Sequence, residues 1–203
     1  MKKIKEQYIQ EVIPKMKEEL GYKNVMAIPK IEKVTLNVGL GKSLSNKEYV
    51  KVVENTLTRI TGQKPVFTKA KKSISAFKIR EGMLVGAKVI LRGKKMDDFL
   101  TKLVHITFPR MKDFHGIDAL HKHIDERGNF SFGFKEHTVF PEIKTDEVEH
   151  VHGLELTINT TSKNKAETYF LLKYLGFPFI IDEELENKLK KQVNQHQVDT
   201  LDK

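Results

Sequence analysis

Residues 31–38, Ile-Glu-Lys-Val-Thr-Leu-Asn-Val, alternate apolar and polar side chains. Val34, Leu36 and Val38 point one way, while Lys33, Thr35 and Asn37 point the other. That period of two belongs to a β-strand with one dry face and one wet face. The wet face carries a cation, a hydroxyl and an amide, which is a set of hydrogen-bonding groups rather than inert cover. A half-buried strand of this kind implies a sheet covered on one side only.

Working outward, Gly39-Leu40-Gly41 breaks the strand, and Ser45 with Glu48 reads as a capping box. A helix with Tyr49, Val53, Thr56, Leu57 and Ile60 inward follows, closed by Gly62. Residues 66–69 predict a short strand and 83–92 a longer one. In the longer one Ala87, Val89 and Leu91 share a face opposite Lys88, Ile90 and Arg92. Between them, Lys69–Gly82 is too polar and too long for a tight turn, so it is expected to project as a loop. Upstream, Tyr8, Ile9, Val12, Ile13, Met16 and Leu20 predict an amphipathic helix over 8–20, with a kink or a late start at Pro14 and a stop at Gly21.

Downstream, Met96, Phe99, Leu100 and Leu103 predict a helix ending near Pro109, and residues 116–128 read as irregular. Phe130, Phe132 and Phe134 alternate with Ser131 and Gly133. Leu154, Leu156 and Ile158 alternate with Glu155, Thr157 and Asn159. A helix after Ser162 runs to Leu175 and is capped by Gly176. Beyond it, Ile181, Leu185, Leu189 and Val193 recur every four residues, with acids leading and lysines trailing, as the helix dipole favours. The expected fold class is α+β: an antiparallel-type sheet covered by helices on one face, with a projecting basic loop and an extra C-terminal helix. The expected division is a main domain over 1–179 and a helical extension over 180–203.

The chain has 203 residues, 36 Lys and Arg against 27 Asp and Glu, a net charge of +9, and no cysteine. Disulfide frameworks, zinc fingers, Fe–S clusters and cysteine nucleophiles are thereby excluded. No run of 18 apolar residues occurs, and the basic start lacks an apolar core, so neither a membrane span nor a signal peptide is expected. The surplus is uneven: residues 1–92 hold 20 cations against 8 acids. Residues 55–80 hold Arg59, Lys64, Lys69, Lys71, Lys72, Lys78 and Arg80 with no acid at all. Such a window favours a polyanion, with nucleic acid first and an anionic membrane second.

Gly39-Leu40-Gly41-Lys42-Ser43 imitates the end of a phosphate-binding loop, and a nucleotide-dependent enzyme built on it is the rival reading. That loop needs glycine at position 36, where Leu36 stands on the core face of the strand. A dinucleotide fingerprint fails at Leu44. His150-Val151-His152 and His121-Lys122-His123 pair imidazoles, but a third ligand such as Asp146 or Glu149 fits no metal signature, so these read as surface histidines. No nucleophile elbow or His-Glu-x-x-His is present. No metal, cofactor or small-molecule substrate is expected. The basic window, Phe77 among Lys71, Lys72, Lys78 and Arg80, and the strand face of Lys33, Thr35 and Asn37 together suit RNA. Cations meet phosphates, amides and hydroxyls meet 2′-hydroxyls and base edges, and an aromatic ring can stack on a base.

Several motifs resemble one family. Ala27–Gly41, Thr61-Gly62-Gln63-Lys64-Pro65, Thr68–Ile74, Phe77–Gly82, Gly86–Val89, Leu91-Arg92-Gly93, Phe108-Pro109-Arg110, Asp113-Phe114, Arg127–Phe130, Phe140–Ile143 and Phe177-Pro178-Phe179 look like large-subunit ribosomal protein five of the bacterial type. The likeness covers about residues 1–179. It implies a non-catalytic protein, cytoplasmic and in the ribosome, in the central protuberance. Its implied partners are 5S rRNA, large-subunit rRNA, P-site tRNA and small-subunit protein thirteen, the last through an intersubunit bridge. Carried over by motif, Lys33, Thr35, Asn37, Gln63, Lys64, Lys88 and Arg92 would face 5S rRNA. Lys71, Lys72, Ser73, Phe77, Lys78 and Arg80 would form the tRNA-facing loop. Arg110, Lys112, Asp113 and Phe114, with the segment before Pro141, would lie near the bridge. Ile90 stands where family members often have threonine, which puts one polar contact in question. The resemblance says nothing about residues 180–203.

Overall fold

The computed structural model describes residues 3–41, 48–112, 114–118, 122–144, 150–180, 186–190 and 193. Five strands make one antiparallel sheet: β1 (Ile31–Gly39), β2 (Val66–Lys69), β3 (Leu84–Leu91), β4 (Phe130–Phe134) and β5 (Leu154–Thr160), in the order β2-β3-β1-β5-β4. The expected strand therefore sits at the centre. Val34 is opposite Leu91 and Ile158, and Leu36 is opposite Val89 and Leu156. All six are buried. Helices cover this face, as expected of an α+β fold.

The first helix, α1, joins α-helical segments Ile4–Gln7 and Ile13–Leu20 through a wider π turn, Tyr8–Val12. Its inward residues, Ile4, Tyr8, Val12, Met16 and Leu20, fall every four positions. In a regular α-helix that spacing drifts by about 40° per step, and a π turn takes back part of the drift. The turn also accommodates Pro14, which has no N–H and would clash with the carbonyl four residues earlier. Ile9, expected inward, is instead 55% exposed, because the wider turn changes the register of the apolar face.

The same device recurs in α3. Its segments Gly93–Lys102 and Phe108–Arg110 flank the π turn Leu103–Thr107, and Pro109 follows in the last turn. The helix passes through Pro109 to Arg110 and ends there. Between these helices, α2 (Glu48–Thr61) buries Tyr49, Val53, Thr56, Leu57 and Ile60, the five residues its periodicity assigned inward. Ser45, the expected cap, lies outside the described residues. The C-terminal carbonyls of α2 meet cations from α3: Lys102 Nζ donates to Ile60 O at 2.6 Å and Lys95 Nζ to Gly62 O at 3.0 Å. Positive charge at that end complements the helix dipole. Lys102 also pairs with Glu142 at 2.5 Å.

Helix α4 (Lys165–Tyr174) is buried along most of its length and ends at Gly176 as expected. Rings link these layers. Phe108 stacks on Phe114 at 5.6 Å, meets Phe132 edge-on at 5.6 Å and Phe177 at 5.8 Å. Of the C-terminal extension, residues 186–190 and Val193 are helical, Leu189 packs against the core, and Val193 is buried. Ile181 and Leu185 lie outside the described residues.

Residues 116–128, expected to be irregular, hold two isolated bridges, Ile117 to Phe179 and Ile124 to Phe130. The turn into β4 is tied by Asp125, whose carboxylate accepts from Arg127 N at 3.0 Å, Asn129 N at 2.6 Å and Asn129 Nδ2 at 2.9 Å. Burial opposes its charge, but the bonds from Asn129 and Arg127 outweigh that and hold the carboxyl below its ordinary range. Gly128, at φ +74°, sends its carbonyl into a buried hydroxyl cluster. Thr160 Oγ1 donates to it at 2.6 Å and Thr168 Oγ1 at 2.7 Å, and both hydroxyls also contact Ser162 Oγ. A methyl group at Gly128 would collide with Ser162 Oγ and stand 2.7 Å from Thr168 Oγ1, in a backbone conformation that L-residues resist. Gly128→Ala is therefore expected to cost about 2–4 kcal/mol of folding stability. Urea unfolding of the two proteins measures it, and equal midpoints would contradict the cluster's role.

Candidate nucleic-acid interface

The sheet face left free by the helices is a polar field. Thr35 lies between Ile90 of β3 and Thr157 of β5, and Asn37 between Lys88 and Glu155. Lys33 is level with Asn159. Beyond β5, Ser131 is opposite Thr157 with the hydroxyls 3.3 Å apart, and Asn159 Nδ2 donates to Asn129 Oδ1 at 3.0 Å. Lys33, Thr35 and Lys88 are half-buried, so their stems are held while their polar ends reach outward. Asn37 and Arg92 are exposed. The structure thus brings Lys33, Thr35, Asn37 and Lys88 onto one surface, with Arg92 at the end of β3 where α3 begins.

Ser131, Thr157, Asn159 and Asn129 extend that surface and were not assigned to it from the sequence. The alternation of Glu155, Thr157 and Asn159 signalled a wet face, but not which strand would lie beside which. Glu155 marks an electrostatic border: the cations lie on the β1 and β3 side, and β5 adds an acid. Ile90 is 39% exposed and, with exposed Val66 on β2, gives this face an apolar spot. Two assigned residues also hold the fold. Gln63 Nε2 donates to Ile90 O at 3.2 Å, and Lys64 pairs with Glu54 at 3.0 Å while 78% of its side chain stays exposed.

The expected projecting loop is an ordered arm that continues the β2–β3 hairpin. Ala70 N donates to Met83 O at 2.8 Å, Gly82 N to Ala70 O at 3.0 Å, and Ile74 and Ile79 exchange backbone bonds at 2.9 and 3.1 Å. Ser73 Oγ accepts from Glu81 N at 3.0 Å. At the tip, the short turn Ser75–Phe77 is followed by Lys78 at φ +54°. Phe77 is 67% exposed, not folded back onto the protein. Lys78 follows it at the tip, and Lys71, Lys72 and Arg80 are exposed along the sides of the arm. The arm therefore presents a ring and a cation at its tip and three more cations along a hydrogen-bonded stalk. Arg110 and Lys112 are exposed elsewhere, at the end of α3, and Phe114 packs half-buried on Phe108. Asp113 lies outside the described residues, as do Lys42 and Ser43 of the nucleotide-loop candidate.

Residues 24–80 match the model of ribosomal protein L5, and residues 84–179 match the model of the C-terminus of that ribosomal family. The large ribosomal subunit protein uL5 of Halothermothrix orenii is 50% identical over 179 residues, covering 88% of this chain and 99% of the relative. The proteins of that name from Streptococcus pyogenes and Streptococcus equi are 49% identical over 177 residues, 87% of this chain and 97% of theirs. The chain belongs to the ribosomal protein L5 family. This is a family of structural, non-enzymatic ribosomal constituents, so the nucleotide-dependent enzyme is set aside. The two matched segments meet in the sheet: β1 and β2 come from the first, and β3, β4 and β5 from the second. The polar face is complete only when both are folded together.

The expectation of surface histidines needs correction. His152 is 3% exposed and stacks on buried His137, ring centroids 4.1 Å apart and 9° from parallel. His152 N donates to His137 Nδ1 at 3.2 Å, and His137 N donates to His152 O at 3.0 Å. Tyr49 of α2 meets the His152 ring edge-on at 6.2 Å, which accounts for the burial. His150 is exposed, and His123 is half-buried with Nδ1 2.8 Å from Ser131 O. His121, Asp146 and Glu149 lie outside the described residues. Among the described residues no three His, Asp or Glu side chains are grouped to hold a metal ion.

Burial lowers the pKa of His137 from 6.5, against smaller opposite effects of the His152 backbone and Glu136. The folded state therefore favours the neutral ring. Its contribution is present above the unfolded pKa and is lost as pH falls below 6.5 through the depressed folded value. Stability measured by urea unfolding is expected to fall between pH 7.5 and 5.5, and His137→Gln should flatten that slope. An unchanged slope in the variant would place the sensitivity elsewhere.

Proposed function

We propose that this protein, as a structural constituent of the large ribosomal subunit, binds 5S rRNA through the free face of its sheet and helps fix it in the central protuberance. The observation that carries this reading is the convergence of Lys33, Thr35, Asn37 and Lys88 on the one face the helices leave open, beside the acid-free window of residues 55–80. Arg92, Gln63 and Lys64 flank it. Phosphates meet the cations, and the hydroxyl and amide groups meet ribose and base edges in the shallow groove of RNA. The hairpin arm, with Lys71, Lys72, Ser73, Phe77, Lys78 and Arg80, reaches P-site tRNA. The segment that closes α3, with Arg110, Lys112, Asp113 and Phe114, contacts small-subunit protein thirteen in an intersubunit bridge. The protein works in the cytoplasm, within the ribosome and against large-subunit rRNA as well.

Two measurements test the anchor. If about five phosphates are engaged, affinity for 5S rRNA should fall by roughly two orders of magnitude from low to physiological salt. A flat salt response would contradict a phosphate-led interface. Asn37 is the clean side-chain probe, since it is exposed, whereas Gln63 also ties the fold to β3. Asn37→Ala should weaken 5S rRNA binding by about 1–3 kcal/mol with no change in melting temperature. Unchanged binding would move the RNA face elsewhere.

A third measurement separates arm from anchor. Neutralising Lys71, Lys72, Lys78 and Arg80 should leave incorporation into the large subunit intact and modestly weaken P-site tRNA retention, as each exposed cation is worth about 1 kcal/mol or less in screened solvent. Sucrose-gradient incorporation and tRNA filter binding on the same variant decide it. Large subunits lacking the variant protein would assign the arm to the anchoring surface instead.

A further inference from the structure

The family match ends at residue 179, but the chain continues to residue 203, and what it does next is visible on the helical side of the molecule. Helices α1 and α4 lie together there. Gln7 Nε2 donates to Tyr174 O at 3.1 Å, and Lys15 Nζ sits 5.6 Å from the centre of the Tyr174 ring. The helical segment 186–190 is laid against both helices. Lys190 Nζ is 2.5 Å from Glu19 Oε2 of α1, 3.9 Å from Glu186 Oε1 and 6.0 Å from the centre of the Phe170 ring of α4. Glu186 in turn accepts from Lys173 Nζ of α4 at 2.6 Å. Glu19, Lys190, Glu186 and Lys173 form one chain of alternating sign across three elements, each between 14% and 36% exposed. One turn further on, Val193 is 1% exposed.

Each part is weak alone, since an exposed ion pair contributes little. Here the pairs are half-shielded and linked, and they are set beside a buried valine and an aromatic face. Two titratable groups report the same environment. Burial opposes the charge of Glu19, yet Lys190, Tyr174 and Lys173 hold its carboxyl below the ordinary range. Burial, with the carboxylates of Glu19 and Glu186, pushes the Tyr174 phenol far up.

We propose that the helical segment 186–190, with Val193, is an intramolecular clamp: it occupies the junction of α1 and α4 and pins the N-terminal helix to the body of the domain. The clamp lies on the helical side, away from the free sheet face, so it acts on the scaffold and does not compete for that face. Its occupant is the chain's own C-terminal segment, and the charge order of that segment, Glu186 then Lys190, matches Lys173 and Glu19 beneath it.

The test uses the full-length chain. Lys190→Glu and Glu19→Lys should each lower the thermal midpoint by about 2–4 °C. The double exchange should recover at least half of the summed loss, because the pair is restored in reverse. Val193→Asp should lower the midpoint by more than either. Hydrogen exchange of the amides of Ile13–Leu20 should quicken in Lys190→Glu. Unchanged midpoints, or losses that simply add in the double variant, would overturn the clamp. A dimer in light scattering that Lys190→Glu dissociates would overturn it too, by assigning the segment to a second copy.

Discussion

The structure depends on the register of β1. It is hydrogen-bonded on both edges, to β3 and to β5, in antiparallel pairs that place Leu36 beside Val89 and Leu156. A slip of one residue in either pair would turn the neighbouring strand over, exposing its apolar set and burying Lys88 or Glu155. Burying an unpaired charge costs far more than a lost backbone bond returns, so the register is fixed by both faces at once. The same alternation that buries the core therefore assembles the polar field, and the field is as well defined as the core behind it.

The helical layer meets this constraint with its own adjustments. Both α1 and α3 carry a proline, and each absorbs it just after a five-residue π turn. The wider turn loses little, since its backbone groups still pair one residue further along. It lets α1 keep residues four apart on one side over its whole length. Lys95 and Lys102 then fasten α3 to the open end of α2, exchanging solvated carbonyls for charged donors.

Much of this could be read from the residues. The inward set of α2, the dry and wet faces of β1 and β3, and the caps at Gly21, Gly62 and Gly176 follow from local periodicity and backbone freedom, which the sequence carries directly. What failed lay outside the regular periodic templates or came from contacts distant in sequence. Ile9 lies outside because a π turn changes the helical register, and nothing in a 3.6-residue template announces it. His152 is buried because Tyr49 and His137, distant in sequence, close over it. The part of the polar field from β4 and β5 needed the strand order, which alternation cannot supply. The arm was legible as polar and exposed, but the bridge between Ile74 and Ile79 that stiffens it was not, since two isoleucines in a basic loop read as scattered apolar residues.

That stiffness bears on how a basic surface becomes a selective one. An exposed lysine attracts any phosphate weakly and is screened within about 8–10 Å. Net charge alone would bring this chain to many polyanions without choosing among them. The sheet face differs because its cations are half-buried at fixed register beside hydroxyl and amide groups, so neighbouring groups stand at spacings set by strand geometry. The arm differs for the same reason: its ring and four cations stand on a hydrogen-bonded stalk, and less conformational entropy is lost when they are engaged. Glu155 works in the opposite sense. Placed level with Asn37 on the next strand, it penalises a phosphate there and limits the attractive field to the β1 and β3 side. In the proposed RNA interface, selectivity would thus come from where the register puts the charges and where it puts an opposing one, more than from how many cations the chain carries.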